Sequence, residues 1–300
     1  MSGAVSGDSQ HKVTDWRIAL PWTRDGIHPI ASVATPKRSS HPIYQRDEPV
    51  VSVVIPVGEG HEDILHNALD SVESQTFRDW EVVVAWDSNS EPDETFLDAY
   101  PYIRLVNTGC SMGAGFARNR GVETARAPFL LFLDADDQLH YEAIEKMLIE
   151  HGRTGNAIYT DYVGRAIVED VNLLADDLKQ NVVARNEETG VTDIIHRLRD
   201  FDQTYAMRQP SNPPYIWCNI TTLFPKVWHT EVGGFDEDME SWEDVEYWYK
   251  MAWAGKEFTR ISEPLMLYSF ISGKRRQTGL HNWDYLLKYL ENKRGENYGM

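Results

Sequence analysis

Phe129-Leu130-Leu131-Phe132-Leu133-Asp134-Ala135-Asp136-Asp137 is the stretch on which the fold of this chain turns. Five apolar residues in a row read as a strand buried on both faces. Three carboxylates in the next four positions repel one another, and holding them at the end of a buried strand is costly without a cation. Mg2+ and Mn2+ resolve that cost, because both prefer oxygen ligands and often share them with phosphates. The stretch therefore points to a metal–diphosphate site at the mouth of a parallel sheet.

Working outward, the flanking pattern agrees. Val50-Val51-Ser52-Val53-Val54-Ile55-Pro56-Val57 is another doubly buried run, followed by Ile64, Leu65, Ala68, Leu69 and Val72 on one helical stripe. Trp80 to Trp86 reads as a strand ending at Asp87, and Ile103 to Val106 as a short one. Gly113 to Thr124 reads as a helix after a glycine-bearing loop. Downstream of the acidic cluster, Tyr141 to His151 reads as a helix with Ile144, Met147 and Leu148 inward, and Ala157 to Thr160 as a strand. Strands alternating with helices imply an α/β fold, a mostly parallel sheet with right-handed crossovers. Ligands of such sheets bind beyond the carboxyl ends of the strands. Pro56-Val57, Asp87 and the acidic cluster all sit at those ends, so three separate segments converge on one crevice.

The second half is less regular. The spacing predicts a short helix at Thr192–Arg199, a proline-rich loop at Pro210, Pro213 and Pro214, and a strand at Ile220–Phe224. It then predicts a turn at Gly233-Gly234-Phe235-Asp236, a helix over Glu243–Ala254, a strand over Leu265–Ile271 and a final helix over Trp283–Leu290. Residues 1–49 read as a weakly patterned arm, partly flexible, that could serve a dimer.

Composition narrows the function classes. The chain has 300 residues, 29 Lys plus Arg against 47 Asp plus Glu, and a net charge of −18. A surface this acidic repels nucleic acid and anionic membrane. No run of about 18 apolar residues exists to span a bilayer, and the N-terminus lacks the basic-then-apolar form of a secretory signal. Cys110 and Cys218, the only two cysteines, make neither a disulfide scaffold nor a metal spacing. The expectation is a cytoplasmic protein.

In combination, these motifs resemble family 2 glycosyltransferases, whose nucleotide-sugar-binding fold is called GT-A. VSVVIPV opens the domain, WEVVVAWDSNS resembles the family's second strand, and Gly113-Ala114-Gly115-Phe116-Ala117-Arg118-Asn119-Arg120-Gly121 resembles its Ala-Arg-Asn helix start. FLLFLDADD resembles its metal motif, and EVGGFDEDMESWEDVEYWYKMAWAG its acceptor-side pattern. The resemblance covers about residues 50–272. It divides the domain into a nucleotide-binding half, 50–161, and an acceptor half, 162–272, and leaves a basic loop and helix at 273–300.

The resemblance implies a role for each motif, and most of these residues also admit a plain reading. It puts Pro56 and Val57 against uracil and makes Asp87 the base-reading carboxylate, where a turn or N-cap Asp would look the same. The family usually has two acidic residues where this chain has Asp87-Ser88-Asn89-Ser90. Arg118 would border the donor, or be part of a solvated helix face. Asp136 would bind Mn2+ or Mg2+, with Asp134 on the ribose or the metal, and His281 as a third metal ligand. Asp244, with Glu243, would be the general base; an acidic pair at a helix N-terminus is the alternative. Trp242 and Trp217 would be platforms for an acceptor sugar, or core residues. Arg275, within Lys274-Arg275-Arg276, would close over the diphosphate, or belong to a solvated turn. The function so implied is metal-dependent, inverting transfer of a sugar from a UDP-sugar to a hydroxyl acceptor, carbohydrate or other. The alternatives are a sugar-nucleotide nucleotidyltransferase, whose Gly-rich basic signature is missing at Val57-Gly58-Glu59-Gly60-His61, and a non-catalytic carbohydrate-binding protein.

Overall fold

Three doubly buried strands organise the molecule, a computed structural model that describes residues 48–207, 216–239, 241–270 and 287–292. The first 47 residues, the proline-rich loop, Arg275 and His281 lie outside the described residues, as does the first half of the predicted final helix; its second half, 287–290, is helical. Strand β1 (Val51–Gly58) leads into helix α1 (Leu65–Glu73), β2 (Trp80–Asp87), α2 (Glu94–Ala99), β3 (Arg104–Asn107), α3 (Ala114–Thr124) and β4 (Phe129–Phe132). Strands β1 to β4 pair in parallel in the order β3-β2-β1-β4. Val53, Ile55, Val82, Val84 and Leu131 face α1 and a later helix, α4 (Ala143–Thr154). Val54, Val83, Leu130 and Phe132 face the opposite layer. Burial on both faces explains why these strands carry continuous apolar runs rather than alternation.

Between β4 and α4 lies the two-residue strand β5 (Gln138–Leu139). The chain continues through β6 (Ala157–Ile167), a 3₁₀ turn, α5 (Asp176–Lys179), β7 (Val182–Arg185), β8 (Val191–His196), α6 (Gln203–Met207), β9 (Leu223–Pro225), α7 (Lys226–Glu231), α8 (Glu243–Trp253) and β10 (Phe258–Ser269). Beyond β4 the sheet runs β9-β6-β10-β5, with β9 antiparallel to both its neighbours and β10 parallel to β6. The sheet is therefore mixed at this end.

Several expectations are corrected. Thr192–Arg199 is not helical: Val191–His196 is β8, antiparallel to β6 and β7. Ile194, Ile195 and Leu198 fit a helical stripe on spacing alone, but pairing with β6 decides the conformation, as it often does for β-branched segments. Strand β6 runs on to Ile167 instead of ending at Thr160, because β8 extends it. Ile220–Phe224 shortens to β9, Leu223–Pro225, and the last strand starts at Phe258 rather than Leu265.

Candidate active site

The carboxyl edge of β1, β2 and β4 is where the site is built. Gly58 is in register with Asp87, and Val54 with Phe132, so the ends of the three strands lie side by side. Pro56 and Val57 are buried in the sheet, near the carboxyl end of β1. Asp87 is 2% exposed. Its carboxylate accepts from the Gly113 N–H at 2.7 Å, from the Met112 N–H at 3.1 Å and from the Thr108 hydroxyl at 3.1 Å. The carboxylate thus gathers the loop in front of α3 onto the end of β2.

Helix α3 then has to lie very close to the sheet. A Cβ at Gly121 would sit 2.4 Å from Val54 Cγ1, and one at Gly115 would sit 3.2 Å from the Asp236 carbonyl. Only glycine fits the first position, and the second is nearly as tight. The close approach delivers Arg118 and Asn119 to the crevice. Asn119 accepts from the Phe235 N–H at 2.9 Å and donates to the Phe235 carbonyl at 3.0 Å and to Glu237 at 2.8 Å. Its amide therefore clamps the Gly233–Asp236 turn instead of facing a ligand. Arg118 is 3% exposed, with Nη2 2.7 Å from Asp134 Oδ1 and Nη1 2.8 Å from Glu243 Oε1.

Asp134, Asp136 and Asp137 bring one carboxylate oxygen each to within 4.8 Å of one another. An oxygen of Asp134 is held by Arg118, and Asp137, 1% exposed, accepts from the Ser269 N–H at 2.8 Å. Carboxylates braced in this way suit a hard divalent cation, and the donor set contains nothing soft.

Across the crevice, α8 begins at Glu243 and Asp244. Trp242, just before it, has φ +65°, the one positive φ at a non-glycine position among the described residues. Left-handed backbone at a bulky residue persists only where its surroundings enforce it, and such strain clusters at functional sites. Asp244 accepts from the Val245 N–H at 2.9 Å. Burial, then the charge of Glu243, push its pKa up to about 6, with Asp134 adding to the rise and Arg118 and the Val245 N–H opposing it. Behind it, Lys250 donates to the Gly234 carbonyl at 2.5 Å and pairs with Glu246 at 3.3 Å, and His229 Nδ1 meets the Tyr247 hydroxyl at 2.8 Å. Burial holds His229 down to about 4, so it acts as a neutral strut.

The structure thus brings Asp87, Arg118, Asp134, Asp136, Glu243, Asp244 and Trp242 to one end of the sheet. It does not bring Trp217 there. That ring is 1% exposed and packs at 5.1 Å from Phe201, 5.3 Å from Tyr249 and 5.4 Å from Phe258. It is a core residue and offers no face to a sugar. Ser269 and the backbone of Trp242 are the contributors that sequence reasoning missed, and neither carried a signal; Asn119, named with Arg118 at the helix start, holds the Phe235 backbone and Glu237.

A largely parallel sheet with an acidic cluster at its carboxyl edge and a second acidic pair opposite defines a two-sided α/β site. Residues 52–180 match the model of glycosyl transferase family 2. Over those residues the chain is similar to that family, and its fold is GT-A. It is 28% identical over 268 residues to validoxylamine A glucosyltransferase of Streptomyces hygroscopicus subsp. limoneus, covering 81% of this chain and 55% of that one. It is also 28% identical over 227 residues to chondroitin synthase of Pasteurella multocida, covering 69% of this chain and 23% of the relative. Among solved structures, S. aureus TarS 1–349 in complex with UDP-GlcNAc superposes with TM-score 0.59 at 16% identity, covering 84% of this chain and 68% of that one. The chain therefore spans only about half, or less, of the length of these two curated relatives. Among the described residues no helix is long and apolar enough to cross a membrane.

Proposed function

We propose that this protein transfers a sugar from a UDP-sugar to a hydroxyl acceptor, with inversion at the anomeric carbon and with the help of Mn2+ or Mg2+. The observation that carries the reading is the meeting of two acidic motifs, Asp134–Asp137 and Glu243–Asp244, in one crevice, with Asp244 raised to about 6. A carboxylate with that pKa is mostly ionised at neutral pH yet basic enough to take a proton, as general-base catalysis asks. The family and the complex of TarS with UDP-GlcNAc support a nucleotide-sugar donor.

Asp244 receives the acceptor hydroxyl proton as that oxygen bonds to the anomeric carbon. The bond from that carbon to the β-phosphate oxygen breaks, and its electron pair leaves with UDP. Asp136 and Asp134 would hold the divalent ion, which when bound supplies Lewis-acid stabilisation of the departing diphosphate. The backbone of Pro56 and Val57 lines the base end of the crevice together with Asp87. Because Asp87 already holds three donors of the Thr108–Gly113 loop, base recognition falls jointly to Asp87 and that loop. Trp242 stands beside the base as the candidate platform for the acceptor. Arg275 and His281 keep the roles the resemblance gives them, as donor closure and third metal ligand.

The test is turnover of a panel of UDP-sugars with Mn2+, read as UDP release. At least one donor should turn over, and the Asp244→Asn protein should lose about 10²–10⁴-fold in rate, the usual contribution of a general base. A wild type that turns over a donor, with an Asp244→Asn form retaining full rate, would remove Asp244 from the mechanism.

A further inference from the structure

Arg118 is the cation at the centre of the acidic crevice, and its surroundings do not fit a donor ligand. Its side chain is 3% exposed. One terminal nitrogen donates to Asp134 at 2.7 Å and the other to Glu243 at 2.8 Å, while the guanidinium carbon lies 5.4 Å from the centroid of the Phe235 ring. The two arms of a planar fork are thus spent on two different carboxylates, one from the end of β4 and one from the start of α8. The Phe235 ring beneath it is held in turn by Asn119, through both backbone groups of Phe235. Arg118 and Asn119 sit next to each other on α3, so one helical turn ties the metal motif, the Gly233–Asp236 turn and the base-bearing helix together.

We infer that Arg118 is a positioning residue that yokes Asp134 on the donor side to Glu243 on the acceptor side and does not itself bind the diphosphate. The inference rests on the transferase reading given above. Both terminal nitrogens donate to carboxylates, and Nε, which has no partner, is buried as well, so a phosphate would reach the guanidinium only by displacing Asp134 or Glu243. What Arg118 fixes is the separation between the carboxylate cluster that would hold donor and metal and the Asp244 that would take the acceptor proton. It also settles part of the division of labour in the cluster. Asp134 Oδ1 accepts from Arg118, and its other oxygen has the more open set of lone pairs for a ribose hydroxyl or the metal. Lysine cannot substitute, because a point charge does not span two carboxylates in a fixed fork. Without the cation, Asp134, Glu243 and Asp244 would repel one another and move apart.

The experiment compares wild type, Arg118→Lys and Arg118→Ala for UDP affinity by calorimetry with Mn2+ and for kcat and KM of transfer. The expected result is UDP affinity within about 3-fold of wild type with kcat lowered about 10²-fold, the scale on which a misplacement near 1 Å is felt. Guanidinium ion added to Arg118→Ala should restore part of kcat, which a purely structural role would not allow. If the single variants fail to fold, the charge-balanced pair Arg118→Gln with Glu243→Gln is measured instead, with the same split expected. A tenfold or greater loss of UDP affinity with kcat preserved at saturation would make Arg118 a donor ligand and overturn the inference. So would an unchanged kcat in Arg118→Lys, or no response to guanidinium. A wild type inactive on every donor overturns both this inference and the transferase reading; an active wild type with an indifferent Arg118 overturns this inference alone.

Discussion

Asp244, the proposed general base, should limit the stability of the protein. Its pKa is raised because burial and the neighbouring charges of Glu243 and Asp134 all disfavour its ionised form. A rise from the ordinary 3.8 to about 6 corresponds to about 3 kcal/mol, at about 1.36 kcal/mol per tenfold change in proton affinity. An acid with a raised folded pKa favours the fold in its protonated form. Its contribution is therefore fully present below pH 3.8, is lost as pH rises to about 6, and stays lost above that. Asp244→Asn removes the charge and keeps an oxygen for the Val245 N–H. The variant should match wild type near pH 4 and exceed it by about 1–3 kcal/mol at pH 7, allowing for residual solvent screening. The assay is urea unfolding with a chelator present, across pH 4 to 8, for the two proteins side by side. Taking the difference cancels the other titrating groups, such as Asp161 and Asp70, whose pKa values burial also raises. The same variant should lose transfer activity, and the acid limb of the wild-type kcat/KM profile should fall near pH 6. A variant less stable than wild type at pH 7, or a difference that does not grow with pH, would refute the reasoning.

Three further perturbations probe the supports of the site. Gly121→Ala places a methyl 2.4 Å from Val54 Cγ1; overpacking of this kind should cost about 1–3 kcal/mol, read as a lower urea midpoint with an unchanged slope. Asp87→Asn replaces one acceptor oxygen with an NH2 donor and removes the charge, so the oxygen that takes both the Met112 and Gly113 N–H groups does so only as a neutral acceptor. That should cost about 1–3 kcal/mol and speed amide exchange in the Thr108–Gly113 loop before any global unfolding. Asp136→Asn removes a charge from a cluster spanning 4.8 Å. Metal-free stability should rise or hold, while the Mn2+ concentration for half-maximal activity should increase at least tenfold, about 1.4 kcal/mol of binding.

The parts legible in the sequence were those in which local pattern and tertiary fate coincide. β1, β2 and β4 announce themselves because strands covered on both faces need unbroken apolar runs, and the acidic residues at their ends mark the crevice. Gly121 and Gly115 were visible as letters, but the reason for them, helix α3 pressed against Val54 and Asp236, lies in packing. β8 was hidden because Thr192–Arg199 carries a stripe compatible with a helix, and only its pairing with β6 and β7 decides. Trp217 illustrates the same limit for the site. An aromatic residue near a motif looks like a sugar platform until its neighbours Phe201, Tyr249 and Phe258 enclose it. Arg118 was singled out beside the donor, yet its bond to Glu243 crosses most of the domain in sequence and exists only after folding.

The central claim is that the acidic crevice is a metal-assisted UDP-sugar site. Titration of the wild-type protein with UDP by calorimetry, with Mn2+ and again after chelation, tests it most directly. The account predicts saturable one-to-one binding that is strengthened by Mn2+ and weakened toward the chelated value in Asp136→Asn. No heat of UDP binding, with or without the metal, would contradict it.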